Sequence, residues 1–305
     1  MNNRSPLIAA LILTYNDSQI VKSCIETVMG SDYQELEIYL IDNGSRNEVL
    51  VDIKQCYPKL NIFALPENLG YSGAFNFVIN NLMSIPDRKF SYFWILNNDL
   101  EVKKDTLSKI VKVISNQPKI GFAGPETMKR GNLSEHDQWI TLFPNPKNPG
   151  KIFLNDELEY GSAEMIDIAY VVGHCMLVKR ELIEEVGLMR EFFIYFEEVE
   201  WQYRAKQVGW RSVAVPSSIA YHDRHSFMKP YNTYLRTRNY LFYNRSVLES
   251  NPSFFKFFVY NSFFLFKDGI VSIVKGSYDM KHAKNFFIGI FHGYFRKLPS
   301  YKRYN

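Results

Sequence analysis

LIAALILTYND, residues 7–17, is the stretch on which the reading of the fold turns. Leu7 to Leu13 are apolar without a break, and Thr14 closes the run. A strand with water on one face alternates apolar and polar residues, whereas one buried on both faces does not, so this is a central strand. Asn16 and Asp17 follow, and either can cap a helix. The next segment puts Ile20, Val21, Cys24, Ile25, Val28 and Met29 on one helical face. A buried strand therefore runs into an amphipathic helix, with polar residues gathered at the junction.

The same unit recurs outward along the chain. LEIYLID (36–42), NIFALP (61–66), FWIL (93–96) and IGFAG (120–124) read as strands, with helices from about Gly73 to Met83 and near 104–116. This alternation predicts an α/β fold with a mostly parallel central sheet flanked by helices. In such open sheets ligands bind beyond the carboxyl ends of the strands. TYND, IDNGS and LNND, the polar clusters, fall at those ends. Residues 127–165 lose the periodicity and read as a long loop or excursion. IDIAYVVGHCMLV (166–178) restores an apolar strand pattern. Helices follow at about 180–187 and 197–208, with strands around 210–215 and 218–222, and beyond Pro230 come helices rich in Phe and Tyr.

Composition narrows the classes. A hydrophobic content of 46% over 305 residues is enough for a substantial core. No run of apolar residues is long enough to span a bilayer. The Leu7–Leu13 run lacks a following small-residue cleavage site, so a buried first strand explains it better than a signal peptide. Three cysteines, Cys24, Cys56 and Cys175, form no CxxC pair, which argues against a disulfide framework or a zinc site and fits a reducing cytosol. Charge is divided unevenly: residues 229–305 hold 13 Lys/Arg and 3 Asp/Glu, against 23 and 29 before them. Either the tail faces an anionic partner, a membrane surface before nucleic acid, or it docks on an acidic body.

Three places carry candidate chemistry. Thr14 and Asn16 close the first strand, and Asp42 and Asn43 close the second, where they can bond a base or ribose or simply form turns. ENLGYSGAFN (67–76) brings Gly70 and Gly73 to a helix start, where backbone N–H groups can approach phosphate or sugar. It is neither GxGxxG nor GxxxxGK[ST], which counts against a dinucleotide fold and a P-loop. Asn97, Asn98 and Asp99 follow the FWIL strand, and a carboxylate there either holds Mg²⁺ or Mn²⁺ against a diphosphate or turns the chain before Glu101. Glu197, Glu198 and Glu200 open a helix, where the macrodipole favours them and Glu200 can pair with Arg204. The aromatic FFIYF before them would dry a carboxylate and raise its pKa, as suits a general base. His222 ends the SSIAYH strand, and a lone histidine in that place is more often structural than functional.

Taken together, LILTYND, YLIDNGS, ENLGYSGAFN, WILNND, VGHCMLVKRELIEEVG, FFIYFEEVEWQYRAKQVGW and SSIAYH resemble glycosyltransferase family 2, rhamnosyltransferase-like branch, in order over residues 7–222. The resemblance implies a GT-A fold, a catalytic domain over 1–228 (nucleotide-binding half about 1–125, acceptor half about 126–228) and a basic aromatic helical tail over 229–305. It implies a nucleoside-diphosphate sugar donor, dTDP- or UDP-linked with rhamnose the first guess, and a divalent metal, Mg²⁺ or Mn²⁺. It further implies inversion at the anomeric carbon and a saccharide acceptor carried on a lipid in the making of a bacterial surface polysaccharide. Thr14, Asn16 and Asp42 match positions that meet the nucleotide, with Tyr15, Asn43, Asn68, Gly70, Gly73, Asn76, Asn97 and Asn98 counted to the same pocket. Asp99 and His222 match metal ligands. Glu198, with Glu197 as the alternative, matches the acceptor-activating base. Two positions depart from the family pattern: the metal motif has one carboxylate rather than two, and the base is Glu where Asp is usual.

NPSFFKFFVYNSFFLFKDGI (251–270) is interrupted by lysines and suits an interface rather than a span. The expectation is a cytoplasmic enzyme, peripheral on the inner face of the bacterial membrane through residues 251–305, with homo-oligomerisation left open and no nucleic acid partner. The rivals are a sugar nucleotidyltransferase, disfavoured because TYNDSQIVKS lacks a glycine-rich basic loop, and an inactive scaffold that kept the fold.

Overall fold

In a computed structural model that describes residues 5–129, 132–137, 163–222, 230–250, 255–274, 276 and 278–299, the 7–17 stretch is a central strand leading into a capped helix. β1 (Ile8–Thr14) sends Ala9 and Leu11 into one core and Ile8, Ala10 and Ile12 into another, which is why its run has no polar interruption. Asp17 accepts the Ile20 N–H at 3.0 Å and starts α1 (Ser18–Met29). Val21, Cys24, Ile25 and Val28 of α1 are buried, while Met29, expected on that face, is exposed.

β2 (Leu36–Asp42), α2 (Asn47–Cys56), β3 (Asn61–Ala64), α3 (Gly70–Met83) and β4 (Tyr92–Asn97) complete the first half. β4 divides its side chains as β1 does: Phe93 and Ile95 face one core, and Tyr92, Trp94 and Leu96 the other. β5 (Leu100–Val102), α4 (Thr106–Ile114), β6 (Ile120–Lys129), β7 (Asn132–Asp137), β8 (Ile166–Ile168), β9 (Cys175–Lys179), α5 (Arg180–Val186), α6 (Glu197–Gln207) and β10 (Arg211–His222) follow. The sheet runs β3-β2-β1-β4-β9-β6-β10-β5, with β7 beside β6 and β8 beside β10. Helices α1, α2 and α4 cover one face, and α3, α5 and α6 the other.

The structure refines several expectations. The sheet is parallel from β3 to β4 and mixed beyond, because β9 enters antiparallel between β4 and β6. The 166–178 run is two strands in different parts of the sheet. Between them Tyr170 makes only an isolated bridge, and Ala169, Tyr170 and Val171 are buried in the core clusters, so they look strand-like without extending either strand. The strands expected at 210–215 and 218–222 are one strand, β10, whose register shifts between Val215 and Ile219 where Pro216 cannot donate to the ladder. The excursion over 127–165 begins as the end of β6 and includes β7; residues 130–131 and 138–162 lie outside the described residues.

The tail forms α7 (Pro230–Ser250), α8 (Phe255–Val274) and α9 (Met280–Phe295). Phe242, Tyr243 and Val247 of α7 share a core cluster with Ala169, Tyr170, Phe192 and Val199. α7 is therefore built into the body of the molecule, and α9 packs on α7.

Candidate active site

Parallel pairing aligns the strand ends. Thr14 stands opposite Asp42 in the β1–β2 register and Leu13 opposite Asn97 in β1–β4, so three polar ends share one edge. Thr14 and Asp42 are buried. Thr14 Oγ1 donates to the Asp17 carbonyl at 3.0 Å, and Asp42 Oδ1 accepts the Ser45 N–H at 3.3 Å. Asn16 adopts φ 57°, and its N–H donates to Ser45 Oγ at 2.8 Å while its Oδ1 accepts the Arg46 N–H at 3.0 Å. Tyr15 is exposed beside them, and Asn98 is part-buried after β4.

Asn43, Asn68 and Asn76 are engaged within the protein. Asn43 Nδ2 donates to Asn68 Oδ1 and to the Gly70 carbonyl, both at 3.1 Å, and its Oδ1 accepts the Leu69 N–H at 2.9 Å. Asn68 Oδ1 also accepts the Gly70 N–H at 2.8 Å. Together they fold the ENLG turn, with Gly70 at φ 74° against the Phe193 backbone and ring, a conformation and a closeness that only glycine admits. Asn76 clasps the Met189 peptide through two hydrogen bonds of 2.9 and 3.2 Å. Gly73 stands one turn into α3, packed on Leu69.

Asp99 Oδ1 lies 3.2 Å from His222 Nε2, but the contact lacks hydrogen-bond alignment, and among the described residues the buried oxygen accepts no other bond. Burial pushes the Asp99 carboxyl up, but His222, a backbone N–H and His174 together outweigh it, so its pKa falls below the usual carboxylate value. The His222 ring stacks on His174, with centroids 4.5 Å apart, and His174 Nε2 bonds Thr127 Oγ1 at 2.9 Å. A misaligned carboxylate–imidazole pair with a buried oxygen fits two ligands of one divalent cation. Among the described residues no third His, Cys, Asp or Glu joins them.

On the other side, Phe193, Tyr195 and Phe196 adopt φ of 79°, 75° and 71° directly before α6. Each left-handed aromatic costs on the order of 1–3 kcal/mol. The compensation comes from α7: Asn239, fully buried, donates to the carbonyls of Phe192, Ile194 and Tyr195 at 3.0, 2.7 and 3.1 Å, and Arg238 to Phe192 at 2.7 Å. Such bonds are worth about 1 kcal/mol each, comparable with the strain they offset. The loop delivers Glu197 inward, where Oε2 has no hydrogen-bond partner among the described residues, and Glu198 to a part-buried position. Burial raises the pKa of both carboxyls; the charge of Glu198 raises Glu197 further. Glu200 is a different case, held between Arg190 at 2.9 Å and Arg204 at 3.1 Å as a buried structural bridge.

The two sides meet at consecutive residues. A Cβ on Gly173 would stand 2.7 Å from the Tyr71 hydroxyl and 3.6 Å from Glu198 Cβ, while the next residue, His174, stacks on His222. Tyr71 donates to the Gly173 carbonyl, and the His174 carbonyl accepts the Asn97 N–H at 2.9 Å. Glu198 and the Asp99–His222 pair thus flank one short segment. Sequence reasoning missed His174, Thr127, Gly173 and Asn239; the motif VGHCMLV contained the first and third without marking them.

A family model described as "Glycosyl transferase family 2" matches residues 9–187. N-acetylglucosaminyl-diphospho-decaprenol L-rhamnosyltransferase of Mycobacterium tuberculosis is 24% identical over 245 residues, 74% of this chain and 78% of its own. A low-salt glycan biosynthesis hexosyltransferase of Haloferax volcanii is 24% identical over 257 residues, 80% of this chain and 77% of its own. Among solved structures, mannosyltransferase PcManGT from Pyrobaculum calidifontis, in complex with GDP-Man and Mn²⁺, superposes with a TM-score of 0.60 over 97% of this chain and 89% of its own, at 14% identity. GalNAc-T7 with UDP, GalNAc and Mn²⁺ reaches 0.61 over 80% of this chain at 18% identity, and the chain spans 48% of that protein's length. At these identities the superpositions establish the fold, GT-A.

Proposed function

The chain belongs to glycosyl transferase family 2, and from that premise we propose that it is an inverting hexosyltransferase acting on a lipid-linked saccharide. The donor is a nucleoside-diphosphate sugar, with rhamnose the first candidate because the Mycobacterium tuberculosis relative is named a rhamnosyltransferase acting on a decaprenol diphosphate. The reaction would lie at the inner face of the membrane, where such acceptors are built.

The observation that carries the reading is that Glu198, part-buried with a raised carboxyl pKa, stands beside Gly173 while the Asp99–His222 pair stands beside the next residue, His174. Thr14 and Asp42 line the strand-end edge on which the nucleotide would lie. Glu198 accepts the proton of an acceptor hydroxyl, whose oxygen forms the new bond at the anomeric carbon as the bond to the diphosphate oxygen breaks. A divalent cation held by Asp99 and His222 would supply positive charge beside that diphosphate. Glu198 is favoured over Glu197 as the base, since Glu197 is 3% exposed and turned into the protein.

Two measurements test this. Donor turnover across UDP-, dTDP- and GDP-sugars, with and without Mg²⁺ or Mn²⁺, is expected to select one sugar and require the metal; binding of none of the donors by calorimetry would refute the reading. Glu198→Gln is expected to lower transfer about 10²–10⁴-fold with donor affinity unchanged. Substantial residual turnover in that variant would remove Glu198 from the role.

A further inference from the structure

α9 is apolar on two opposite faces, and among the described residues only one of them is packed. Ala283, Phe286, Gly289 and Gly293 are buried; a Cβ on Gly289 would stand 2.8 Å from the Tyr234 carbonyl oxygen of α7, and one on Gly293 2.7 Å from Leu241. Across the helix, Met280, Phe287, Phe291 and Phe295 are 84, 39, 59 and 75% exposed. At 3.6 residues per turn these four occupy an arc of about 80°. α8 repeats the pattern: Phe255, Val259, Phe266, Ile270 and Val274, within an arc of about 100°, are 61, 53, 46, 42 and 80% exposed.

The two stripes form one surface. α8 and α9 run antiparallel, with the Phe258 ring 5.4 Å from Tyr294 and Phe266 5.8 Å from Phe287, so two stripe members touch across the helix boundary. Isolated exposed aromatics are unremarkable on a protein surface, but a contiguous patch across two helices marks a docking site. Charge identifies the occupant. α8 and α9 together hold Lys256, Lys267, Lys281 and Lys284 against Asp268 alone, and all four lysines are exposed. Lys256 and Lys267 edge the α8 stripe, and Lys284 stands within that of α9. No described helix is long and apolar enough to cross a membrane. A second copy of this face would bring like charges together as it buried the aromatics.

We infer that the α8–α9 face lies flat on an anionic membrane, with the aromatics among the acyl chains and the lysines at the phosphate level. This goes beyond the proposed transfer reaction and needs neither donor nor acceptor to be tested.

Full-length protein is floated with vesicles of phosphatidylcholine alone and of phosphatidylcholine mixed with phosphatidylglycerol. It is expected to rise with the mixed vesicles, to be released by salt, and to bind phosphatidylcholine far less. Phe291→Asp is expected to lower partitioning about ten-fold or more, and Lys281→Gln with Lys284→Gln several-fold. All three positions are exposed, so circular dichroism and melting should match the parent. Failure of the parent protein to float with mixed vesicles would overturn the inference, as would binding indifferent to these substitutions. Sedimentation showing a dimer that Phe291→Asp dissolves would overturn it in favour of self-association.

Discussion

Glu197 and Glu198 are neighbours with the same side chain, and their surroundings separate them. Glu197 is buried with an unpartnered oxygen, so the folded protein favours its protonated form and holds its pKa well above the ordinary value. A carboxyl raised on folding contributes stability that is full below its unfolded pKa, about 4.3, and is lost as pH rises toward the folded value. Glu197→Gln, which resembles the protonated acid, should therefore stabilise the protein at neutral pH, with the gain vanishing as pH approaches 4. Urea titrations of both proteins across pH would show it, and an equal gain at every pH would refute it. Turnover in this variant should persist, unlike that of Glu198→Gln. Asp99, Glu198 and His222 were legible because each sits where an element begins or ends, and sequence spacing reveals such places. His174 was not: its partners Thr127 and His222 lie 47 and 48 residues away, and an isolated histidine in an apolar run carries no sign of them.

The segment between α5 and α6 shows what elements add to residues. FFIYF reads as an apolar wall, and in space it is a loop with three left-handed aromatics held by a helix more than forty residues later. Asn239 carries that restraint, yet in TYLRTRNYLF it looks like one polar residue on an ordinary helix. Asn239→Leu removes an amide whose two hydrogens are shared among three carbonyls and should cost about 2–4 kcal/mol of stability. Because the same bonds orient Glu198, kcat should fall by more than donor affinity. Equal losses in kcat and donor binding would reduce Asn239 to a merely structural role. Gly173→Val should likewise push Tyr71 aside and impair turnover while leaving the sheet intact, as assayed by melting and kinetics. Elements with one strong period were legible at this scale. α2 was not read, since only Val49 and Ile53 of its ten residues are buried, and β5 is a three-residue strand.

For the whole molecule, the parallel half from β3 to β4 followed from the strand–helix alternation, whereas the insertion of β9 between β4 and β6 depends on long-range pairing that no local pattern encodes. The charge split was legible in the composition, and the structure divides its meaning: α7 docks on the body, and α8 and α9 keep the exposed basic aromatic face. If that face meets anionic lipid, transfer to an acceptor embedded in anionic vesicles should fall as salt rises, because exposed charges are screened within about 8–10 Å at physiological ionic strength. Donor hydrolysis in solution should be far less sensitive. Kinetics on both substrates at several salt concentrations would test the difference, and parallel salt profiles would count against it.

The clamp from Asn239 onto the loop before Glu198 also imposes an order in time. A growing chain emerges from the ribosome amino end first, and its early portions can fold before the rest is made. When His222 has emerged, every side chain assigned to the chemistry is already present, but the helix that holds the base loop is still unmade. Assembly of a working site thus waits for α7, and a chain truncated before Asn239 should carry the full set of reactive groups with little power to transfer sugar.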